Sequence, residues 1–185
     1  MRKKIAALAT AALMVVALGA LAGCGADDEQ VIRDGLTKEF ETIKSMDEAT
    51  LDEYVQDMDA EDFAEFGIEP EEFVKAFFAD FDYEIGDITI DGDTADASVT
   101  LTNKSISQFQ SEIERIVAEL MESPEATSLD QEAFYALYGQ KIMEALNDVA
   151  PATAEPIVIE CTKDGNTWNV DDAASQEVLT ALMTI

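Results

Sequence analysis

The chain has 185 residues and carries 40 Asp and Glu against 11 Lys and Arg, for a formal net charge of −29, and it contains no His. So acidic a surface repels nucleic acid and anionic lipid headgroups and attracts cations or basic protein surfaces, although solubility alone is a sufficient reason for it. Without His, this chain can form neither a Ser-His-Asp or Cys-His catalytic group nor a His-ligated metal site.

The first 24 residues have the organisation of a bacterial export signal. A basic start, Arg2-Lys3-Lys4, precedes the apolar run Ile5–Ala20 and the sequence Leu21-Ala22-Gly23-Cys24. This order of charged, apolar and small residues is typical of a signal peptide. Cysteine directly after small residues resembles the lipobox of bacterial lipoproteins, in which the Cys is acylated and becomes the first mature residue. The resemblance implies a signal peptide at 1–23, a palmitate-type anchor on Cys24 and a place on the extracytoplasmic face of the cell membrane.

Two other interpretations of this segment fit less well. A membrane-spanning helix needs about 20 apolar residues, and this run is slightly shorter and ends among glycines. An ordinary secretory signal has no need of a Cys at this position. The predicted signal carries basic residues and no acidic one, so the mature chain would be still more acidic than the whole.

The second cysteine, Cys161, has no disulfide partner in the chain if Cys24 carries the lipid. It alternates with isoleucines along a short segment, which predicts a buried strand position for a thiol that packs as a small hydrophobe. Its neighbours in sequence, Glu160 and Thr162, do not provide the electropositive surroundings that a reactive thiol requires.

Three helices are predicted after a short polar tether at 24–29. A capping box at Ser45-Met46-Asp47-Glu48 predicts the start of the second helix. Gly67 is typical of a helix C-cap, and Pro70 is typical of a first helical position. The apolar faces of the three helices are Ile32, Leu36, Phe40 and Ile43, then Leu51, Tyr54, Val55 and Met58, then Phe73, Val74, Phe77, Phe78 and Phe81.

The segment from Phe63 to Phe81 contains six of the nine phenylalanines. At helical spacing, such residues most often form core. Phe77 and Phe78 are not expected both to point fully inward with Phe73 and Phe81, so the alternative is that one edge of this face lines a pocket or a protein contact.

After residue 82 the apolar period changes to two, which predicts a β-hairpin turning at Gly92, with a bulge at Gly86. Four carboxylates crowd this hairpin: Asp87, Asp91, Asp93 and Asp96. They could hold Ca²⁺, but a calcium loop starting at the first of them would have Ser98 where the bidentate Glu belongs. Extended strand residues also hold the first two apart, so a solvated turn is the better interpretation and no metal site is predicted.

The acidic runs at Asp57–Asp62 and Glu69–Glu72 also allow both a structural and a functional interpretation. They supply negative charge to helix N-termini, where the helix dipole favours it. A docking patch for a basic partner is the alternative.

Two further helices, 105–122 and 130–149, precede a second hairpin with a turn at Lys163-Asp164-Gly165-Asn166. Trp168 is predicted to pack across this strand pair, against Ile157 or Ile159, rather than to stack on a carbohydrate. Asp171 or Asp172 then caps a last helix. The apolar positions are Ile106, Phe109, Ile113, Ile116, Val117 and Leu120, then Phe134, Leu137, Tyr138, Ile142 and Leu146, then Val178, Leu179 and Leu182.

Strands in hairpins rather than single strands between helices predict an α+β fold, with helices packed on a curved antiparallel sheet. No Gly/Ser-rich linker divides the chain after the tether, so 30–185 is predicted to be a single domain.

Two stretches carry a resemblance to a family. Asp91-Gly92-Asp93-Thr94-Ala95 and Lys163-Asp164-Gly165-Asn166-Thr167-Trp168-Asn169-Val170-Asp171 resemble those of small uncharacterised lipoproteins of Gram-positive bacteria with an NTF2-like (cystatin-like) domain. The resemblance implies a cone-shaped fold in which the sheet wraps helices, and no particular activity. The two helices between the hairpins depart from the simplest layout of that fold.

The favoured function is a lipid-anchored, non-enzymatic binding or interaction module whose partner is a basic protein or a small apolar ligand. No catalytic residue, cofactor or metal ligand is predicted, and Cys24 is the single assigned site. The alternatives are a hydrolase that uses carboxylates on envelope material, and a single-domain solute binder. A cleft with two buried carboxylates would favour the enzyme, an apolar cavity the small-ligand binder and a closed apolar core the interaction module.

Overall fold

The computed structural model describes residues 28–56, 58, 60–171 and 173–185. Cys24 and the predicted signal peptide lie outside these residues. The elements in chain order are α1 (Asp28–Ser45), α2 (Glu48–Gln56), α3 (Ala60–Ala64), α4 (Pro70–Phe77), β1 (Asp82–Asp91), β2 (Thr94–Lys104), α5 (Ile106–Glu122), α6 (Pro124–Thr127), α7 (Gln131–Asp148), β3 (Pro151–Thr153), β4 (Ile157–Asp164), β5 (Thr167–Val170) and α8 (Ala174–Thr184).

The strands form one antiparallel sheet in the order β1-β2-β4-β5, and β3 extends the line of β4 along the far end of β2. Its two hairpins turn at Gly92 and Gly165, whose φ angles of 61° and 63° favour glycine. Between Ile85 and Ile88 the pairing of β1 with β2 shifts register, which confirms the predicted bulge. The fold is therefore α+β, with helices on a curved antiparallel sheet.

One face of the sheet is buried and the other is open. Along β2 the buried residues Ala95, Ala97, Val99 and Leu101 alternate with exposed or half-buried polar residues. Helices α1 and α8 contact the strands, and the chain's large aromatic residues fill the space between sheet and helices. The alternation with period two thus decides which face of the sheet receives the helices.

The free edge of β1 is covered at its bulge by Arg33 of α1. The guanidinium donates one hydrogen bond of 2.8 Å to the carbonyl of Ile85 and one of 3.0 Å to that of Gly86. Carbonyls on an edge strand otherwise have water or another strand as partners. The same arginine pairs with Glu29 at 3.0 Å, so the first turns of α1 are fixed against β1.

All five apolar residues of the phenylalanine-rich helix and its end are buried, including both Phe77 and Phe78. The alternative that one edge lines a pocket or contact is therefore wrong for these side chains. The physical reason is that α4 ends at Phe77, and Phe78 has φ −95° and ψ 8°. The chain leaves the helix at this point, so two consecutive rings can both turn into the core, 4.9 Å apart and edge to face.

Several boundaries differ from the sequence prediction. The cap of α2 is Asp47, whose carboxylate accepts from the amide of Thr50 at 2.9 Å, while the Ser45 hydroxyl bonds back into α1. Helix α1 begins at Asp28, inside the predicted tether. The short elements α3, α6 and β3 were not expected. Each has five residues or fewer, too few to display a period.

Helix α7 approaches the rest of the domain closely at Gly139. A Cβ atom added there would lie 1.9 Å from the carbonyl oxygen of Phe66. The Phe66 ring packs on Tyr135 and Tyr138 of the same helix, with centroids 5.4 and 5.7 Å away. Glycine is therefore what allows α7 to lie on the segment before α4.

Within the described residues, no helix combines the length and the apolarity needed to cross a membrane.

Candidate functional site

The first described residue, Asp28, ties the start of α1 to the second hairpin. Its carboxylate accepts hydrogen bonds from the Lys163 ammonium at 2.8 and 2.7 Å and from the indole N–H of Trp168 at 3.1 Å. These bonds, first to Lys163 and then to Trp168, lower the pKa of Asp28 below its ordinary value. The chain leaving Asp28 toward Cys24 therefore starts from a fixed point.

The register of β4 and β5 explains this cluster. Trp168 pairs with Lys163 rather than with Ile157 or Ile159, so the predicted cross-strand partner is wrong. The ammonium lies 5.4 Å from the centre of the indole ring, within cation–π range. Trp168 is 1 % exposed, which confirms that it does not offer a stacking surface.

The two hairpin turns lie beside each other at this end of the sheet. The amide of Lys163 donates to the carbonyl of Asp93 at 2.8 Å, so the turn at Gly165 adjoins the turn at Gly92. We call Asp28, the two turns and Trp168 the anchor end.

The four carboxylates of the first hairpin are spread along it. Asp87 lies at the bulge, Asp91 ends β1, Asp93 lies in the turn and Asp96 faces outward from β2. Among the described residues, no group of three or more Asp, Glu or Cys side chains is close enough together to hold a metal ion.

At the opposite end of β2 lies a second lysine, Lys104, which is almost fully buried. Its ammonium pairs with Asp80 at 2.9 Å and donates to the carbonyls of Asn147 and Val149 at 3.3 and 3.2 Å. These carbonyls are at the C-terminus of α7, where a cation offsets the negative end of the helix dipole.

A groove of about 580 Å³ begins next to this lysine and runs between α5 and α7. We call this part of the molecule the groove end. The floor of the groove contains the apolar residues Ile116, Ala145 and Val149. The polar residues that line it are Ser107, Gln108, Ser111, Glu112, Arg115, Glu119, Lys141, Glu144 and Asp148.

Acidic side chains outnumber basic ones in the groove, and the two cations are already paired. Arg115 lies between Glu112, at 2.6 Å, and Glu119, and both raise the pKa of its guanidinium. Lys141 bonds Glu144 at 2.6 Å and thereby lowers the pKa of that carboxyl. The groove thus presents an apolar floor within a rim of net negative charge.

The outer side of α5 carries exposed apolar residues. Val117 is 44 % exposed and Met121, one turn later, is 65 % exposed; Leu129, after α6, is 41 % exposed. We call Val117 and Met121 the α5 stripe. The sequence prediction placed Val117 on the buried face, which is wrong because its neighbour Ile116 occupies that position.

Three further titratable groups have shifted pKa values. Burial raises the pKa of the Glu39 carboxyl. Burial, with a smaller contribution from Asp96, raises the pKa of Cys161 to about 11, and the thiol is 1 % exposed. The expectation of a buried thiol is therefore confirmed. Burial and then Glu41 raise the pKa of Tyr83 to about 12.

Sequence reasoning did not find the groove. The i,i+3 and i,i+4 charge pairs of α5 were visible in the sequence, but they indicate a solvated helix face as readily as a groove wall. That α5 and α7 face each other depends on tertiary packing. The negative charge expected at helix N-termini is confirmed for Glu71 and Glu72 of α4, whereas the first acidic run lies partly outside the described residues.

The fold places the protein in the class of α+β domains built on a single antiparallel sheet. No protein-family model and no curated protein matches the chain. A solved structure that resembles it is that of ycdA, a Bacillus subtilis protein described as a lipoprotein, with 16 % identity and a TM-score of 0.46. The alignment covers 85 % of this chain and 47 % of that protein, so this chain spans about half the length of its structural neighbour.

Proposed function

We propose that this protein is a lipid-anchored, extracytoplasmic binding module without enzymatic activity, and that it binds a basic protein segment in the groove between α5 and α7. The observation that carries the binding role is the groove, in which carboxylates surround an apolar floor. The sequence around Cys24 supports the anchor.

The chemistry of the groove favours one class of partner. Ile116 and Ala145 can receive apolar side chains. Asp148 lies on the α7 wall and Glu119, which shares Arg115 with Glu112, on the α5 wall, and both carboxylates can accept hydrogen bonds from an incoming Lys or Arg. The overall charge of −29 would attract such a segment over longer distances and accelerate its association. An amphipathic basic helix or strand satisfies both requirements.

A binding role is better supported than hydrolysis because general acid–base chemistry on glycosidic bonds uses two carboxyl groups, one with a raised pKa. Glu39 has a raised pKa, but it lies on α1 and does not line the groove. Three of the groove carboxylates, those of Glu112, Glu119 and Glu144, are exposed and ion-paired, a setting that suits recognition of charge.

The NTF2-like assignment also belongs to this proposal. It is supported by an antiparallel sheet whose concave side holds helices, and by the two hairpins that carry the resemblance. Helices α5 to α7 are additions to the simplest layout of that fold, and they build the groove.

The binding site is tested by titrating a helical peptide of lysine and leucine into the protein. The double variant Glu119→Gln, Asp148→Asn should weaken binding about tenfold, since two exposed charge pairs together contribute on the order of 1.4 kcal/mol. Glu84→Gln with Glu160→Gln is the matched control, because it removes the same charge from the open face of the sheet. Equal weakening in both variants would contradict the groove and leave only general attraction.

The anchor is tested separately. Replacing Cys24 with Ala should abolish incorporation of a labelled fatty acid and leave an unprocessed precursor. Incorporation that persists in this variant would contradict the anchor.

A further inference from the structure

We infer that the lipidated protein stands with its anchor end toward the membrane and its groove facing away from it, so that the partner approaches from the aqueous side. The inference rests on the proposed lipid anchor and adds the orientation of the domain. It follows from how few residues separate Cys24 from Asp28 and from where the groove lies in the fold.

The connection between Cys24 and Asp28 is short. Asp28 is held on the second hairpin by Lys163 and Trp168. Three residues separate it from Cys24, and the four Cα-to-Cα steps of this connection span at most about 14 Å when fully extended. The acyl chains on Cys24 would therefore keep the anchor end within about that distance of the lipid headgroups.

The sheet is long enough to keep the groove end away from the anchor end. Strand β2 starts beside the turn at Gly92, in the anchor end, and finishes at Lys104, in the groove end. It has 11 residues, so its ends lie roughly 33 Å apart at about 3.3 Å per residue. The groove opens at this far end, where Ser107 lies at the start of α5 and Val149 follows α7.

Electrostatic repulsion also acts on the orientation. A domain tethered at one point could still lie flat on the leaflet. The mature chain, more acidic than the whole chain with its net charge of −29, is repelled by an anionic surface over a Debye length of about 8 Å at physiological salt. An upright domain presents only its anchor end to that layer, whereas a recumbent domain would present its whole length, so repulsion favours the upright orientation.

One feature competes with this orientation. The exposed side chains of Val117, Met121 and Leu129 could enter the headgroup region and pull the domain down. A recumbent domain would bring α5 and the groove to the lipid. The two orientations therefore predict opposite distances for a probe at the groove end.

The experiment uses the full lipidated protein in vesicles of equal parts phosphatidylcholine and phosphatidylglycerol. A donor dye is attached to Asn166→Cys at the anchor end or to Ser111→Cys in the groove, both exposed positions. The buried Cys161, with its raised pKa, remains unlabelled. Energy transfer to a dye-labelled phospholipid should be strong from position 166 and near background from position 111.

Equal transfer from the two positions, or stronger transfer from position 111, would overturn the inferred orientation while leaving the anchor intact. In that case the double variant Val117→Ser, Met121→Ser should reduce transfer from position 111, which would identify the α5 stripe as the contact. A protein that does not float with the vesicles would overturn the anchor and, with it, the orientation.

Discussion

Each end of the sheet holds a lysine that pairs with an aspartate, but the two pairs differ in depth. At the anchor end, the side chains of Lys163 and Asp28 are 21 % and 40 % exposed. At the groove end, that of Lys104 is 4 % exposed, and Asp80 is its half-exposed partner. Water screens the attraction within a partly solvated ion pair, so losing that pair costs little. An almost fully buried ammonium has lost its hydration, so losing one of its protein partners costs more free energy.

The two pairs hold different parts of the fold in place. The anchor end fixes the first residue of α1 by contacts between side chains. The groove end fixes the C-terminus of α7 by contacts to backbone carbonyls, and α7 is one wall of the groove. Loss of Lys163 should loosen the attachment of α1 to the second hairpin. Loss of Lys104 should displace the C-terminus of α7, which is one wall of the groove.

The largest effect is expected for Lys104→Met. The carbonyls of Asn147 and Val149 would each lose the ammonium that donates to them, and leaving two such acceptors without a donor costs about 4 kcal/mol of unfolding free energy in total. Urea unfolding measures this loss, with Lys163→Met as the matched variant at the anchor end. A similar, small loss in both variants would abolish the contrast between the two ends.

Gly139→Ala should follow, with a loss of about 3 kcal/mol, because the new methyl group would overlap the carbonyl of Phe66 and push α7 outward. Gly86→Ala is the control, since its Cβ would make an ordinary contact of 3.5 Å. Thermal unfolding of the two variants measures the difference, because only the alanine at position 139 should displace α7 and lower the melting temperature. Unchanged stability of the Gly139 variant would contradict the close approach of α7.

Trp168→Phe should cost about 2 kcal/mol, through the smaller ring in a buried position and the lost hydrogen bond to Asp28. Binding of the lysine–leucine peptide should be unaffected, because the groove is at the far end of the sheet. Loss of peptide affinity in this variant would show that the two ends are coupled.

The smallest effect is expected for Asp28→Asn and depends on pH. The pKa of Asp28 is lower in the folded state than its ordinary value of 3.8. The charged carboxylate therefore stabilises the fold above that pH, and the contribution is lost as the pH falls through the lowered pKa. The stability difference between wild type and variant should shrink at acid pH in guanidinium unfolding, and a difference that is constant with pH would contradict the assignment.

Elements with a strong period were predictable from the sequence. The helical face of Phe40, the alternation from Ala95 to Leu101 and the turns at Gly92 and Gly165 each follow from local spacing and φ preferences. These features were enough to give the α+β class and the position of the core.

The candidate site was not predictable, because it depends on partners distant in sequence. Lys104 is separated from Val149 by 45 residues and Asp28 from Trp168 by 140. No local pattern distinguishes a lysine that caps a distant helix from one that faces solvent. The opposed walls of the groove have the same origin, since the packing of α5 on α7 decides which of their charged residues meet.

The bulge in β1 has a consequence for crowding. On a membrane surface, the proposed anchor would confine many copies to two dimensions, where exposed strand edges meet often. An unprotected edge would template the addition of a strand from a neighbouring copy. The register shift after Ile85 and the two hydrogen bonds from Arg33 leave the β1 edge a poor template, so dense copies can remain separate molecules.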